Sequence, residues 1–383
     1  MIELVFWASA ALVVYAYVGY PVLVGLLARA VRRPDRTAPI EPSVSILVAA
    51  YNEAGVIGDK IRNALALDYP ADRLEIVIAS DGSTDGTAAI ARDAVPAADH
   101  SPVRPTIRVV EFERNRGKIQ VLNDAVPQLR GEIVVFSDAS SLLRPNALRQ
   151  LVRHFADPAV GAASGVYHVL NADAASLGRQ EDLYWKYETF LKLQEARLGT
   201  LTGAHGSLYA MRRDLYPFPP AGTINDDFVI PTGVLRHGCR IAYEPAAIAC
   251  EEAREMEGFG RRVRITAGNI AQLREARSLV SRPFALFCFL SHKAGRVFVP
   301  MALLTMLVAN ALLVAQPLYA ALMAGQLAFY ALALVGAVGR LPWKPLRLPC
   351  YFCMINAAFF VWAWQRLTRA RRPRDERPGV VWT

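Results

Sequence analysis

The sequence has few cysteines and no pattern that would join them into a framework. The close pair Cys350 and Cys353 lies in an apolar segment without further metal-ligating residues, so neither a disulfide scaffold nor a zinc site is indicated. The G-x-G-x-x-G pattern is missing after the first predicted strand, which argues against a nicotinamide enzyme. Basic residues exceed acidic ones by a formal charge of +9, but no basic motif interleaved with aromatic residues indicates nucleic-acid binding.

Charged residues are also missing from several long apolar segments. Leu4–Ala28 carries no charge and is long enough for a spanning helix, which needs about 20 apolar residues. Glu3 precedes this segment and arginines follow it, so the positive-inside rule predicts an anchor with the next domain in the cytoplasm, not a cleaved signal peptide. Near the other end, Val297–Ala315 and Leu318–Val338 are predicted to span, and Phe284–Leu290 to lie in the interface.

The segment Leu348–Trp364 leaves the topology open. If it crosses the membrane with its two predecessors, the arginine-rich tail ends outside, against the positive-inside rule. If it lies in the interface, the tail stays inside. Its length meets the lower limit for a span, which slightly favours a crossing. The expected organisation is a transmembrane helix at 1–30, a cytosolic domain at 43–275, a membrane region at 283–365 and a basic tail at 366–383.

Between the apolar segments, strand-like runs alternate with loops and helical stretches. The predicted strands are Ser43–Ala50, Leu74–Ala79, Ile107–Phe112, Ile133–Ser137 and a later one near Ile241–Glu244. The predicted helices run from about Gly55 to Leu67, from after the Asn115–Lys118 stretch to Val126, from about Pro145, from Gln180 to Leu198 and from Phe259 to Leu273. This alternation predicts an α/β fold with a mostly parallel sheet covered by helices on both faces.

Acidic residues stand where the strand-like runs are expected to end. They are Asp81, Asp138 and the pair Asp226-Asp227. The corresponding edge of a parallel sheet commonly binds ligands, because strand ends and helix N-termini converge there. Asp138 and Ser140 would point the same way in an extended chain, so Asp138 could hold Mg²⁺ or Mn²⁺ with Ser140 assisting. On spacing alone, a helix cap or a turn explains Asp138 equally well.

The other polar residues also have two interpretations each. Asp81 could be a turn residue or a carboxylate that accepts hydrogen bonds from a ligand. Asp226 and Asp227 are adjacent like charges, which suits a general base if they are partly buried, or else they form a solvated turn. Arg264 and its basic neighbours could pair with phosphates or face anionic lipid.

Several stretches together resemble glycosyltransferase family 2, the inverting GT-A-fold enzymes that include cellulose, chitin and hyaluronan synthases. They are AAYNEAGVI, IVIASDGSTDGT, ERNRGKIQVLNDAV, EIVVFSDASS, TGAHGSLYAMRRDLY and INDDFVIP. They occur in the family's order over roughly residues 43–275. The resemblance implies a Rossmann-like GT-A domain, cytosolic and flanked by transmembrane helices, in the inner or plasma membrane.

The resemblance also implies roles for individual residues. Those implied to bind the donor are Tyr51, Glu53, Asp81, Lys118, Asp138 and Arg264. Those implied to bind the acceptor are Gly203, Ala204 and Asp226. Asp138 matches the first acid of the D-x-D metal motif, with Ser140 at the position of the second. Asp227 matches the final acid of the T-E-D motif, the catalytic base.

Three motifs depart from the family's pattern. D-x-D is D-x-S, because Ser140 replaces the second acid, and T-E-D reads N-D-D. The Q-x-x-R-W motif keeps Arg264 but has neither the glutamine nor the tryptophan, which is a platform for the acceptor sugar in processive synthases.

The sequence therefore predicts a membrane-bound inverting transferase in exopolysaccharide biosynthesis. It would move a sugar from a nucleotide-sugar, in the first instance a UDP-sugar, to a glycan or lipid-linked acceptor with Mg²⁺ or Mn²⁺ as cofactor. The expected partners are the donor, the acceptor, the lipid bilayer and polysaccharide export or assembly proteins, without nucleic acid. The alternatives are addition of a single sugar to a lipid-linked acceptor, and a non-catalytic membrane subunit that binds nucleotide-sugars.

Overall fold

A computed structural model describes residues 1–31, 36–95, 104–170, 178–252, 258–338 and 348–370. They form two compact units. The sheet unit takes its described residues from 31–170 and 187–252, and the helical unit takes them from 1–30, 171–186 and 253–377. The helices in chain order are α1 (Ile2–Ala30), α2 (Ile57–Leu65), α3 (Thr87–Asp93), α4 (Lys118–Ala125), α5 (Ala147–Val152), α6 (Gly178–Arg197), α7 (Asp226–Thr232), α8 (Gly258–Gln272), α9 (Pro283–Leu313), α10 (Pro317–Val338) and α11 (Leu348–Ala370).

The sheet unit contains one eight-stranded mixed sheet with the order β3-β2-β1-β4-β7-β6-β8-β5. Its strands are β1 (Val44–Ala50), β2 (Leu74–Asp81), β3 (Thr106–Phe112), β4 (Ile133–Phe136), β5 (Leu142–Leu143), β6 (Val160–Leu170), β7 (Tyr209–Arg212) and β8 (Arg240–Glu252). The first four pair in parallel, as the alternating pattern predicted. β7 runs antiparallel to β4 and β6, while β8 is parallel to β6 and antiparallel to β5.

The core of this unit lies against both faces of the parallel strands. β1 and β2 are buried along their whole length, which is why their sequences are nearly continuous apolar runs. Helix α2 packs on them through Ile57, Ile61 and Ala64, spaced as one face of a helix requires. Complete burial of each large aliphatic side chain contributes about 1.5–3 kcal/mol. Lys60 falls on the same buried face of α2.

Strands β5, β6 and β7 were not predicted, and β8 is longer than the strand expected near Ile241–Glu244. β6 escaped prediction because it is rich in small residues, which have low strand propensity. Its Gly161 and Gly165 allow close packing: an added Cβ would lie 2.8 Å from the Cβ of Cys239 and 2.5 Å from the Ala247 carbonyl oxygen, respectively. The sequence pattern expected Asp226 and Asp227 to follow a strand, and this is wrong. They open helix α7, where acidic residues in the first turn are favourable.

The helical unit contains three helices that are long and apolar enough to cross a membrane, α1, α9 and the first 21 residues of α10, within the described part of the chain. α1 and α9 contact each other through polar and aromatic pairs, including a 2.9 Å hydrogen bond between the Tyr15 and Ser291 hydroxyl groups. The segment Phe284–Leu290, predicted to lie in the interface, is continuous with α9.

Helix α11 is not among these three, and its crossing of the membrane stays a prediction. The guanidinium of Arg262 on α8 lies 5.3 Å from the ring centroid of Tyr351 on α11 and donates a 3.1 Å hydrogen bond to its hydroxyl. These contacts place α8 in the helical unit, whereas the predicted domain 43–275 included it. Most of the predicted basic tail, residues 371–383, lies outside the described residues.

Candidate active site

Asp81 is a buried carboxylate at the end of β2. Its Oδ1 accepts a 2.9 Å hydrogen bond from the backbone N–H of Arg116, and its Oδ2 a 2.8 Å bond from that of Gly117. These bonds fix the turn before helix α4. Asp81 therefore positions Lys118, the first residue of α4, and its predicted contact with a nucleotide base stays a prediction.

The loops after β1 and β2 are joined into one rim at the edge of the parallel sheet. Asn52 adopts a positive φ of 54°, and its Oδ1 accepts a 2.9 Å hydrogen bond from the Thr84 N–H. The N–H of Glu53 donates to Thr87 Oγ1 at 2.8 Å. Tyr51 and Glu53, the predicted donor-binding residues, are half-buried in this rim.

Lys118 joins carboxylates from two separate parts of the chain. Its Nζ lies 2.9 Å from Asp138 Oδ1 and 2.9 Å from Asp226 Oδ2. Burial lowers the pKa of Lys118, but the two carboxylates raise it more, so its pKa lies above the usual value and the ammonium group stays charged. The predicted donor-binding lysine and two of the predicted acids are thus in direct contact.

Asp227 and Asp138 both approach Gly206. An added Cβ at Gly206 would lie 3.6 Å from Asp138 Oδ2 and 3.7 Å from Asp227 Oδ2, so both carboxylates border the same small volume. The backbone oxygen of Asp227 accepts a 2.7 Å hydrogen bond from the Ala204 N–H. Gly203 has a φ of +82°, and an added Cβ there would lie 3.0 Å from the Phe228 ring. The segment predicted to bind acceptor therefore packs directly on the start of α7.

The side chains of Lys60 and Glu251 hold the loop from Asp138 to Ser141 in place by hydrogen bonds. Lys60 is fully buried, and its Nζ donates hydrogen bonds to Ser137 Oγ, at 2.6 Å, and to the Ser141 carbonyl oxygen. Burial lowers the pKa of Lys60 to about 7, against the opposing effect of Asp138 and Glu251. The Ser140 hydroxyl, predicted to assist a metal, donates to Glu251 Oε1 at the end of β8.

Arg264 is exposed and belongs to helix α8 of the helical unit. Its predicted interaction with a diphosphate stays a prediction.

The sequence interpretation missed two polar residues of this site, Lys60 and Glu251. Lys60 had a detectable signal, because helical spacing places it among Ile57, Ile61 and Ala64 on the apolar face of α2. A charged residue on such a face is either paired or functional. Glu251 had no such signal, since its position depends on the pairing of β8 with β5.

Sequence comparison relates the region that contains this site to sugar transferases. A profile described as "Glycosyltransferase like family 2" matches residues 42–267. Poly-beta-1,6-N-acetyl-D-glucosamine synthase of Staphylococcus aureus is 26% identical over 222 residues, which cover 57% of this chain and 52% of that enzyme. The chain thus spans about half the length of this curated relative. Beta-monoglucosyldiacylglycerol synthase of Synechocystis sp. is 37% identical over 123 residues, covering 32% of this chain and 24% of that enzyme.

A solved structure matches almost the whole chain. The mannosyltransferase of Pyrobaculum calidifontis, in complex with GDP-Man and Mn²⁺, has a TM-score of 0.74 and 27% sequence identity over 98% of this chain and 100% of that one. This likeness confirms the GT-A fold expected from the sequence. Because the family profile covers more than half of the chain, the protein belongs to glycosyltransferase family 2 and is a glycosyltransferase.

Proposed function

We propose that this glycosyltransferase is membrane-bound and inverting, and that Asp227 is the general base that activates the acceptor hydroxyl. The observation that carries this proposal is the approach of two carboxylates to Gly206, since Asp138 Oδ2 and Asp227 Oδ2 would lie 3.6 Å and 3.7 Å from a Cβ added there. One carboxylate can face the leaving group while the other faces the incoming nucleophile, as a single displacement at the anomeric carbon requires. The membrane location rests on the three apolar helices, and a cytoplasmic active site rests on the positive-inside rule.

The two adjacent acids at the start of α7 have different surroundings. Asp226 is buried and bound to Lys118, so its charge is already neutralised. Asp227 is only partly buried, and its carboxylate approaches Gly206, where an acceptor hydroxyl would come within hydrogen-bonding distance. A base that removes a proton must reach it directly, which selects Asp227 over Asp226.

Lys118 supplies positive charge where a departing diphosphate would develop negative charge. Its ammonium group is fixed between Asp138 and Asp226, so little reorganisation is needed when a phosphate approaches. Asp81 contributes indirectly by fixing the turn that begins α4. Tyr51 and Glu53 would contact the nucleoside from the rim.

The donor set fits Mg²⁺ or Mn²⁺. The Asp138 side chain is 42% exposed, and the ammonium group of Lys118 already occupies a cation position beside it. Among the described residues no group of three or more His, Cys, Asp or Glu side chains could hold a metal. Mg²⁺ and Mn²⁺ usually take one or two protein carboxylates beside phosphate oxygens and water, and Asp138 can supply one of them. When bound at Asp138, such an ion would neutralise charge on the diphosphate.

The similar proteins bear on the identity of the donor and of the acceptor. The whole-chain likeness to a mannosyltransferase in complex with GDP-Man favours testing GDP-Man beside the UDP-sugars that the family resemblance implied. The match to a polysaccharide synthase supports a glycan acceptor in exopolysaccharide biosynthesis. Export or assembly proteins as partners stay a prediction from the sequence. The match to a diacylglycerol glycolipid synthase supports a lipid acceptor. Loss of the tryptophan beside Arg264 favours addition of a single sugar.

The test is release of nucleoside diphosphate by the detergent-purified full chain. UDP-Glc, UDP-GlcNAc and GDP-Man are supplied in turn with Mn²⁺ or Mg²⁺, with and without extracted lipid or oligosaccharide acceptor, and again with chelator. We expect acceptor-dependent release from one donor class that chelator abolishes. A ladder of long products would support chain extension, and one added sugar would support a single transfer. Binding of a donor without any turnover would favour the non-catalytic subunit instead.

A further inference from the structure

The D-x-S motif supplies only one carboxylate, that of Asp138, from the loop that would hold the metal. Asp138 and Ser140 occupy the positions that hold two acids in the family's motif. A metal that takes two protein carboxylates would need the second from another part of the chain. This inference rests on the metal-assisted function proposed above.

The pairing of β5 with β8 brings a second carboxylate next to the same loop. β5 follows the loop directly and pairs antiparallel with β8, with Leu142 opposite Cys250. This register brings Glu251 next to Ser141, the last residue of the loop. Glu251 Oε1 accepts a hydrogen bond from the Ser140 hydroxyl and lies 3.3 Å from Ser141 Oγ. Two hydroxyl groups on one oxygen fix the orientation of the carboxylate, as outer-shell partners of metal ligands do.

Asp138 and Glu251 also share a buried cation. Both carboxylates interact electrostatically with the ammonium group of Lys60, which is fully buried below the loop. Lys60 donates to Ser137 Oγ, which in turn donates a 2.7 Å hydrogen bond to the Ser207 carbonyl oxygen beside Gly206. The loop with Asp138, the strand end with Glu251 and the Gly206 segment are therefore held in one hydrogen-bonded and charged network.

We propose that Glu251 supplies the second protein carboxylate of the divalent-metal site, in place of the acid missing at position 140, and that Ser140 is a positioning residue that orients it. A carboxylate on β8 and a carboxylate on the 138–141 loop then act as the pair that D-x-D supplies within one loop. The replacement of Asp by Ser at position 140 is compatible with metal binding because the strand pairing compensates for it.

The test measures Mn²⁺ binding without turnover. Mn²⁺ is titrated into the detergent-purified full chain with GDP or UDP present, and free Mn²⁺ is followed by its electron paramagnetic resonance signal. We expect Glu251→Gln and Asp138→Asn each to weaken Mn²⁺ binding by about 10–100-fold. The control Glu111→Gln removes an exposed carboxylate that pairs with Arg92, and it leaves Mn²⁺ binding unchanged.

Two further variants separate a ligand from a structural residue. Ser140→Asp, added to Glu251→Gln, restores the second carboxylate within the loop and recovers Mn²⁺ binding. Glu251→Cys shifts the preference from Mn²⁺ toward Cd²⁺, because a thiolate is a softer ligand. Because the chain already carries free cysteines, including the neighbouring Cys250, the shift is measured against wild type at an unchanged melting temperature. Under that condition this variant decides the question if Glu251→Gln folds poorly.

Three results would overturn the inference or the function on which it rests. Unchanged Mn²⁺ binding in Glu251→Gln, together with loss of binding in Asp138→Asn, excludes Glu251 as a ligand. If Glu251→Gln weakens nucleotide binding without metal as much as it weakens Mn²⁺ binding, and also lowers the melting temperature, Glu251 has a structural role only. If the wild-type chain itself binds no Mn²⁺ with either nucleotide, the metal-assisted function proposed above fails instead.

Discussion

The position of Gly206 beside the carboxylates of Asp138 and Asp227 makes Gly206→Ala an informative substitution. The added methyl group would lie 3.6 Å from Asp138 Oδ2, 3.6 Å from Asp227 Cβ and 3.7 Å from Asp227 Oδ2. These are ordinary van der Waals distances, and Gly206 is not among the glycines with positive φ. The folded state accommodates the methyl group, but the reactants lose the space that it fills.

The expected effects on stability and catalysis therefore have opposite signs. A Gly→Ala change at a compatible conformation stabilises a protein by about 0.4–1 kcal/mol through the unfolded state. A displacement of reacting groups by about 1 Å can lower the rate about 10²-fold. At about 1.36 kcal/mol per factor of ten, this raises the activation free energy by about 2.7 kcal/mol.

The assay compares the melting temperature and the rate of nucleoside diphosphate release in wild type and Gly206→Ala. The matched control is Gly58→Ala on α2, where the added methyl group meets only Arg62 and Ile90 at ordinary distances. We expect both variants to melt at or above the wild-type temperature and only Gly206→Ala to lose turnover. Wild-type turnover in Gly206→Ala would contradict the placement of the reaction between these two carboxylates.

Two other predictions concern charged groups of the sheet unit. Lys118→Gln leaves Asp138 and Asp226 without their shared cation, and removing one partner of a buried ion pair costs about 3–5 kcal/mol. Because the Asp138 side chain is 42% exposed, we expect a loss at the lower end of this range in denaturant unfolding, partly recovered by Mn²⁺ with nucleoside diphosphate. Burial raises the pKa of Glu244, but the hydrogen bond from His154 and its other partners lower it more, so its net pKa lies below the usual 4.5. Its ionised form thus stabilises the fold above about pH 4.5, and the melting-temperature advantage of wild type over Glu244→Gln should disappear as the pH falls below that value. An advantage that does not change with pH would contradict this assignment.

The sequence was informative where local pattern decides the structure. The apolar runs that end near Asp81 and Asp138 form the parallel strands of an open sheet, because strands covered on both faces must be apolar throughout. The resemblance to family 2 added the fold type, which the solved mannosyltransferase structure then confirmed.

The parts that the sequence could not predict depend on long-range pairing. Asp226 contacts Lys118 only because α7 lies at the edge of the sheet, and no local pattern in the sequence predicts that position. Glu251 reaches the 138–141 loop through the register of β8 with β5, a strand of only two residues. Lys60 could have been noticed from its place on an apolar helix face, but its partners could not.

The role of Asp227 as the general base is tested most directly by Asp227→Asn. Donor binding is measured by titration of the nucleotide-sugar into wild type and Asp227→Asn, and turnover is measured in the same preparations by acceptor-dependent release of nucleoside diphosphate. We expect unchanged donor affinity and a turnover lower by about 10²–10⁴-fold, because the acceptor hydroxyl loses its proton acceptor. Turnover near the wild-type rate in Asp227→Asn would contradict this role.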